Sequence, residues 1–243
     1  MKSLLKKIDY NNLPNHVAVI MDGNGRWAEK RGKLRTFGHK ESIKSVMDTI
    51  NGFKELEIPY ITLYVFSSEN WNRPKEEVKE LILLFHKNLK SSLKEVHEKN
   101  IKIIVIGKIE NFSQVIQEEL IFFMKKTKNN TSGTLILALS YSAREEILRA
   151  TKNISKKVLD GSLSLNNINY TSFQKHLYTK NLPDVDLIIR TSGEQRISNF
   201  LLWQSAYAEL YFTKILWPDF RKKDFFEAII DYQKRKRRFG NVE

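Results

Sequence analysis

His16-Val17-Ala18-Val19-Ile20-Met21-Asp22-Gly23-Asn24-Gly25-Arg26 is an apolar run that ends in a polar, glycine-punctuated turn. The run has strand length, so it reads as a buried strand followed by a tight turn. A helix is predicted next, over residues 38–56, with Ile43, Val46, Met47 and Ile50 at helical spacing. Residues 60–66 form a second strand, β-branched and aromatic. Pro74 suits the first turn of a long helix to about residue 99, with Val78, Leu81, Ile82, Phe85, Leu89, Leu93 and Val96 on one face. At about 1.5 Å per residue this helix should approach roughly 40 Å.

The same alternation continues to the end of the chain. Strands are expected at 101–106, 134–139, 186–189 and 209–212, and helices at 112–128, 143–159 and 224–238. The expectation is an α/β fold: one domain over residues 15–243 after an N-terminal segment 1–14, with a mostly parallel sheet of about six strands flanked by helices. In such sheets ligands bind beyond the carboxyl ends of the strands, which is where the polar clusters fall.

Composition narrows the chemistry. The 243 residues are 41% hydrophobic and 28% charged, enough for a sizeable core and unlike a disordered chain. The absence of cysteine excludes disulfides, thiolate zinc sites and cysteine nucleophiles. No apolar run has the length of a signal peptide core or a spanning helix, so a cytoplasmic protein is expected. The net charge of +13 calls for anionic partners: nucleic acid, an anionic membrane surface or phosphorylated small molecules.

Four clusters bear on that choice. In the opening turn, Gly23 and Gly25 allow the backbone to present N–H groups to an anion, and Arg26 adds a charged fork. Asp22 is out of place beside an anion unless a cation, commonly Mg²⁺, bridges them. A plain strand-to-helix turn satisfies the same residues. Arg35 and His39 form the second cluster, just before the expected helix. The third is Ser67-Ser68-Glu69-Asn70-Trp71-Asn72-Arg73, in which Ser67, Ser68 and Arg73 suit phosphate and Ser68 or Asn72 equally suits an N-cap. The fourth is Arg190 with Arg196 and Ser198, followed by Glu209, which reads either as a second anion site with a metal or as a surface ion-pair network. Four phosphate-suited clusters, all at strand ends, argue together for an anionic substrate.

On these residues the chain resembles the cis-prenyltransferases, in particular the bacterial undecaprenyl diphosphate synthases. The likeness is carried by residues 16–28, Gly38-His39-Lys40, Phe66 through Pro74, residues 186–190, Arg196-Ile197-Ser198-Asn199-Phe200-Leu201-Leu202-Trp203-Gln204, Ala206 through Phe212, and Leu216-Trp217-Pro218-Asp219-Phe220. It implies successive condensation of isopentenyl diphosphate onto farnesyl diphosphate with cis double bonds, giving undecaprenyl diphosphate for cell-wall glycan carriers. It also implies Mg²⁺, a homodimer, and an apolar tunnel between the sheet and long helices that delivers product to the inner face of the membrane. The DDxxD motif of trans-prenyl synthases is absent, as the resemblance requires.

Carried over residue by residue, Asp22 would be the essential metal-linked acid and Glu209 the other metal ligand. Gly23, Asn24, Gly25, Arg26 and Trp27 would hold the allylic diphosphate, with Arg35 and His39 beside it. Arg190, Arg196, Ile197 and Ser198 would hold isopentenyl diphosphate. Ser67, Ser68, Glu69, Trp71 and Arg73 would line the space between. The family casts Asn70 as proton acceptor, but a neutral amide is a very weak base, and positioning a diphosphate oxygen or a water is the more physical role. Arg238-Phe239-Gly240 matches an Arg-x-Gly that reaches the neighbouring subunit's site. Ser140-Tyr141-Ser142-Ala143-Arg144 departs from the Asn-Tyr-Gly-Gly-Arg of many relatives.

Two other classes frame the test. A nucleic-acid binder fits the charge, but no helix-turn-helix, RNP or zinc pattern supports it, so no nucleic acid is expected. A catalytically silent partner subunit should have lost Asp22, Arg26, Arg190 or Arg196, and all four are present.

Overall fold

Val17 and Val19 pack on one side of a sheet while Ala18 and Ile20 pack on the other, so the opening strand, β1 (His16–Ile20), is buried throughout. Burial on both faces explains why the run shows no polar alternation. The computed structural model describes residues 2–238 and Gly240. The other strands are β2 (Tyr60–Ser67), β3 (Lys102–Ile106), β4 (Thr134–Tyr141), β5 (Leu187–Arg190) and β6 (Glu209–Phe212). They form one six-stranded sheet in the order β3-β4-β2-β1-β5-β6, and every neighbouring pair is parallel.

The helices are α1 (Lys2–Leu5), α2 (Asn24–Glu29), α3 (Arg35–Glu55), α4 (Lys75–Glu98), α5 (Gln114–Lys126), α6 (Ala143–Leu159), α7 (Tyr170–Gln174) and α8 (Lys222–Gln233). α3, α4, α5 and α8 bury Phe53, Leu89, Leu93, Leu120 and Phe225 on the Val17 side. Tyr141, Leu182 and Phe200 close the Ala18 side. α4 is 24 residues long, about 36 Å at 1.5 Å per residue, and Pro74 stands at its N-cap. No helix among the described residues is long and apolar enough to cross a membrane.

Three differences from expectation bear on the polar segments. The second polar turn, Arg35 to His39, is already helix. Arg35 and His39 are therefore one helical turn apart on a common face. Gly38 looks like a turn residue but serves close packing, since a Cβ there would lie 1.9 Å from the Asn24 carbonyl oxygen. Gly38→Ala must part α2 from α3. We expect a loss of about 1–3 kcal/mol, or a Tm fall of about 2–4 °C per kcal/mol at this chain length; an unchanged thermal transition would show that the contact yields freely. Next, the opening turn runs directly into the short helix α2, which the glycines concealed.

The third difference is at the C-terminus, where α8 stops at Gln233 rather than continuing to 238. Five successive like charges disfavour a further helical turn. Instead Arg235 pairs with Asp231 and Glu209, and Arg237 with Asp186. Arg235 and Arg237 thus tie the basic end to the sheet, while Lys234, Lys236 and Arg238 are exposed. Phe239, the middle of the Arg-x-Gly match, lies outside the described residues.

Candidate active site

A cavity of about 860 Å³ opens at the carboxyl ends of the strands and runs between the sheet, α3 and α4. Its mouth is polar: Asp22, Arg26, Arg35, His39, Arg73 and Arg190 all line it. Its depth is apolar, walled by Ile43, Met47 and Ile50 of α3, Leu81, Leu89 and Val96 of α4, and Leu135 and Leu137 of β4. From Leu81 to Val96 the α4 wall spans about 22 Å at 1.5 Å per residue.

Gly23 has φ of 105°, and a Cβ would meet Leu216 at 2.9 Å, so only glycine turns the chain here. A Cβ on Gly25 would lie 2.6 Å from the Arg35 guanidinium carbon, so this glycine lets Arg35 lie against the turn. Asp22 is the hub. Its Oδ2 accepts from Arg190 Nη2 at 2.8 Å, its Oδ1 lies 3.3 Å from Arg26 Nη2, and Thr191 Oγ1 accepts from its backbone N–H at 2.9 Å. Burial alone would raise its pKa, but the Arg190 hydrogen bond and the Arg190 and Arg26 charges outweigh this and hold the carboxyl below its ordinary value. Asp22 is therefore ionised at neutral pH.

Arg190, only 4% exposed, also donates through Nη1 to Ser198 Oγ at 2.7 Å and to the Arg196 carbonyl. Arg26 donates to Ser192 Oγ at 2.6 Å and Glu194 Oε1 at 2.8 Å. Glu194 also holds Arg196, at 2.5 Å. Glu29 holds Arg35 at 2.6 Å, and Glu77 holds Arg73 at 3.1 Å. Each of these arginines thus rests on a carboxylate that an anionic ligand can replace. Burial first, then the Arg73 and Arg35 charges, push the His39 pKa down to about 4, so its imidazole is neutral at pH 7.

The mouth gathers most of the predicted residues: Asp22, Gly23, Asn24, Gly25, Arg26, Arg35, His39, Ser67, Glu69, Asn70, Arg73, Arg190 and Ser198. Asn70 Oδ1 accepts from the Ser67 N–H at 3.0 Å. Its acceptor is thus committed to the backbone, and what it offers the cavity is its amide N–H donors.

Six predicted residues are placed otherwise. Arg196 is exposed on its loop and held by Glu194. Ser68 turns away, donating to Glu145 Oε2 at 2.9 Å and the Ser140 carbonyl, because it starts the 3-10 turn Ser68–Asn72. Trp71 stands behind the wall: its Nε1 donates to Ser140 Oγ at 2.9 Å and its ring packs edge-on to Phe66, which does line the cavity. Trp27 stacks on Phe37 with Arg31 over its ring. Ile197 packs against the core on the Ala18 side, anchoring its loop.

Glu209 is the largest departure. It begins β6 and pairs in register with Leu187, whereas Arg190 sits level with Phe212. Three residues of strand separate those levels, about 10 Å. Glu209 is at the amino end of the sheet, ion-paired to Arg235 at 2.9 Å. One chain does not bring it together with Asp22.

Whether the mouth suits a metal is answered by its donor atoms. Among the described residues no group of three or more His, Cys, Asp or Glu could hold an ion. The mouth does offer the ionised Asp22 carboxylate and Asn24 Oδ1, which is buried without a hydrogen-bond partner. Oxygen-only donors, few in number, suit Mg²⁺ shared with substrate phosphates.

The altered segment after β4 also finds its explanation. Ser142 has φ of −145° and caps α6, and Ala143 is its first helical residue, so neither position needs glycine. Ser140 does take positive φ, 45°, and its Oγ accepts from Trp71 and Asn111. Sequence reasoning passed over Thr191, Ser192, Glu194 and Asn199. All four stand in the string after Arg190, but nothing in their order shows that the first three face Asp22 and Arg26 or that Asn199 reaches Glu69.

The chain is similar to known proteins over nearly its whole length. The family described as "Putative undecaprenyl diphosphate synthase" matches residues 20–240. The chain is 52% identical over 237 residues to the ditrans,polycis-undecaprenyl-diphosphate synthase ((2E,6E)-farnesyl-diphosphate specific) of Pasteurella multocida, covering 98% of this chain and 99% of that one. It is 46% identical over 233 residues to the isoprenyl transferase of Clostridium perfringens, covering 96% and 92%. The crystal structure of lavandulyl diphosphate synthase from Lavandula x intermedia, in complex with dimethylallyl diphosphate, matches with a TM-score of 0.92 at 36% identity, covering 94% of this chain and 99% of that one.

Proposed function

The chain belongs to the undecaprenyl diphosphate synthase family, and from that premise we propose that it condenses isopentenyl diphosphate successively onto farnesyl diphosphate, forming cis double bonds and yielding undecaprenyl diphosphate. The observation that carries the reading is the cavity itself, whose cationic mouth continues into a long apolar interior. That shape suits a molecule with a diphosphate at one end and a polyisoprenoid tail at the other.

Arg26, Arg35 and Arg73 take the allylic diphosphate in exchange for Glu194, Glu29 and Glu77. Neutral His39 adds a hydrogen-bond donor without adding charge. Arg190, Arg196 and Ser198 take the isopentenyl diphosphate. Mg²⁺, bound through Asp22 with Asn24 nearby, would supply positive charge to the departing diphosphate. As the allylic C–O bond breaks, the alkene of isopentenyl diphosphate forms the new C–C bond and one proton is lost. The amide donors of Asn70 support a positioning role, orienting a diphosphate oxygen or a water to take that proton. Phe66, braced by Trp71, helps keep water from the allylic cation.

The enzyme acts as a homodimer in this reading. β6 is the outer strand of the sheet, and its Leu210 is 37% exposed, the kind of surface a second copy covers. A metal role for Glu209, on that edge, then requires the partner's site rather than its own chain's. The cellular setting is the cytoplasm, with delivery of the product to the membrane and the cell-wall glycan carriers as its use.

Mass spectrometry of the product from farnesyl and isopentenyl diphosphates tests the reading, with undecaprenyl diphosphate expected and no prenyl product overturning it. Each added isoprene unit buries five carbons, about 4 kcal/mol at about 0.8 kcal/mol per carbon group. Release into water is therefore slow, and detergent or lipid should raise steady-state turnover. A turnover identical with and without detergent would count against a tail held inside the protein.

A further inference from the structure

Three residues on the loop flanking Arg190 take left-handed backbone conformations without being glycine: Ser198 at φ 48°, Asn199 at 59° and Leu201 at 47°. Such a cluster persists only where its surroundings hold it. Asn199 supplies the hold. Its Nδ2 donates to Glu69 Oε1 at 2.6 Å and to Ser142 Oγ at 2.7 Å. Its Oδ1 accepts from the Arg144 N–H at 2.9 Å, and its backbone carbonyl accepts from the Ala143 N–H at 3.0 Å. One amide therefore joins three strand-end segments: those after β2, β4 and β5. Asn is also the side chain that best tolerates this backbone.

The neighbouring residue is Ser198, whose Oγ and the Arg196 carbonyl together fix the Arg190 guanidinium. A shift of Asn199 moves both. We propose that Asn199 is a positioning residue for the second diphosphate pocket. By locking its loop to Glu69 and to the start of α6, it holds Ser198 and Arg196 where isopentenyl diphosphate binds. The inference rests on the assignment of Arg190, Arg196 and Ser198 to that substrate.

Steady-state kinetics with each substrate varied in turn tests it on the intact enzyme. Asn199→Gly keeps the left-handed turn without strain and removes only the amide. It should raise KM for isopentenyl diphosphate about tenfold and change KM for farnesyl diphosphate less than about twofold. Ser142→Ala removes one of the four bonds and should shift the same constant in the same direction by less, which covers the case of an unstable Asn199 variant. Equal rises in both KM values, or a lower kcat with both unchanged, is the signature of general structural damage and overturns the proposal. Arg196→Ala run in parallel separates the premises. If Arg196→Ala raises KM for isopentenyl diphosphate and Asn199→Gly does not, Asn199 has no positioning role. If neither does, the pocket assignment fails and the inference fails with it.

Discussion

Asp22→Asn should abolish nearly all prenyl transfer while leaving the fold intact. The substitution is isosteric, so the turn, the Thr191 clasp on the Asp22 backbone and the Gly23 conformation are retained. What disappears is the negative charge between Arg190 and Arg26, and with it the carboxylate proposed to hold Mg²⁺. Removing a single charge-stabilising group from an active site costs about 10²–10³ in rate. In the proposed mechanism Asp22 combines a metal role with the orientation of Arg190, so a fall in kcat of at least about 10³ is expected. Asp22→Ala should be equally inactive. Undiminished transfer by either variant would overturn the mechanism.

The same substitution has a pH signature. The folded Asp22 pKa lies below its ordinary value, so its ion pairs contribute stability above the unfolded pKa of about 3.9. That contribution is lost as pH falls through the folded pKa. The Tm gap between wild type and Asp22→Asn should be widest above about pH 5 and close at more acid pH. Charge-assisted hydrogen bonds of this kind contribute about 1.5–3 kcal/mol. A gap that does not change with pH would mean that the carboxylate is not the source of the difference.

Much of this site can be read from the sequence because its anchors are local. The apolar run of β1 and the Gly23 turn after it identify a strand end before any partner is known. The alternation of strands and helices places the polar strings on one edge of a parallel sheet. What is not legible is pairing across the chain. Asp22 and Arg190 are 168 residues apart, and no local pattern shows that one neutralises the other. Side-chain direction is equally hidden: Ser67 faces the cavity and Ser68 the opposite way, set by where the 3-10 turn begins. Glu209 is different, because its distance from Asp22 within one chain follows from a rule available beforehand. A residue that begins a parallel strand lies at the amino end of the sheet, away from a site at the carboxyl ends.

Arg190 carries the second large effect, and here stability and activity should fall together. Its guanidinium is buried, and its two terminal nitrogens reach Asp22, the Arg196 carbonyl and Ser198. Arg190→Ala removes all three bonds and leaves Asp22 with only the more exposed Arg26. Breaking a buried ion pair from one side costs about 3–5 kcal/mol, which at about 2–4 °C per kcal/mol is a Tm fall of roughly 10 °C. The rate with limiting isopentenyl diphosphate should fall by at least about 10³, since the pocket loses its central cation. Arg190→Lys keeps the charge but not the planar fork, so it should recover most of the lost Tm and little of the activity. That split distinguishes geometry from charge, because a site that needed only a cation would be restored by lysine on both measures. Combining Arg190→Ala with Asp22→Asn should cost much less than the sum of the single losses in Tm, since the two groups stabilise each other. Additive losses would mean that the pair seen here is not the bond that holds the mouth together.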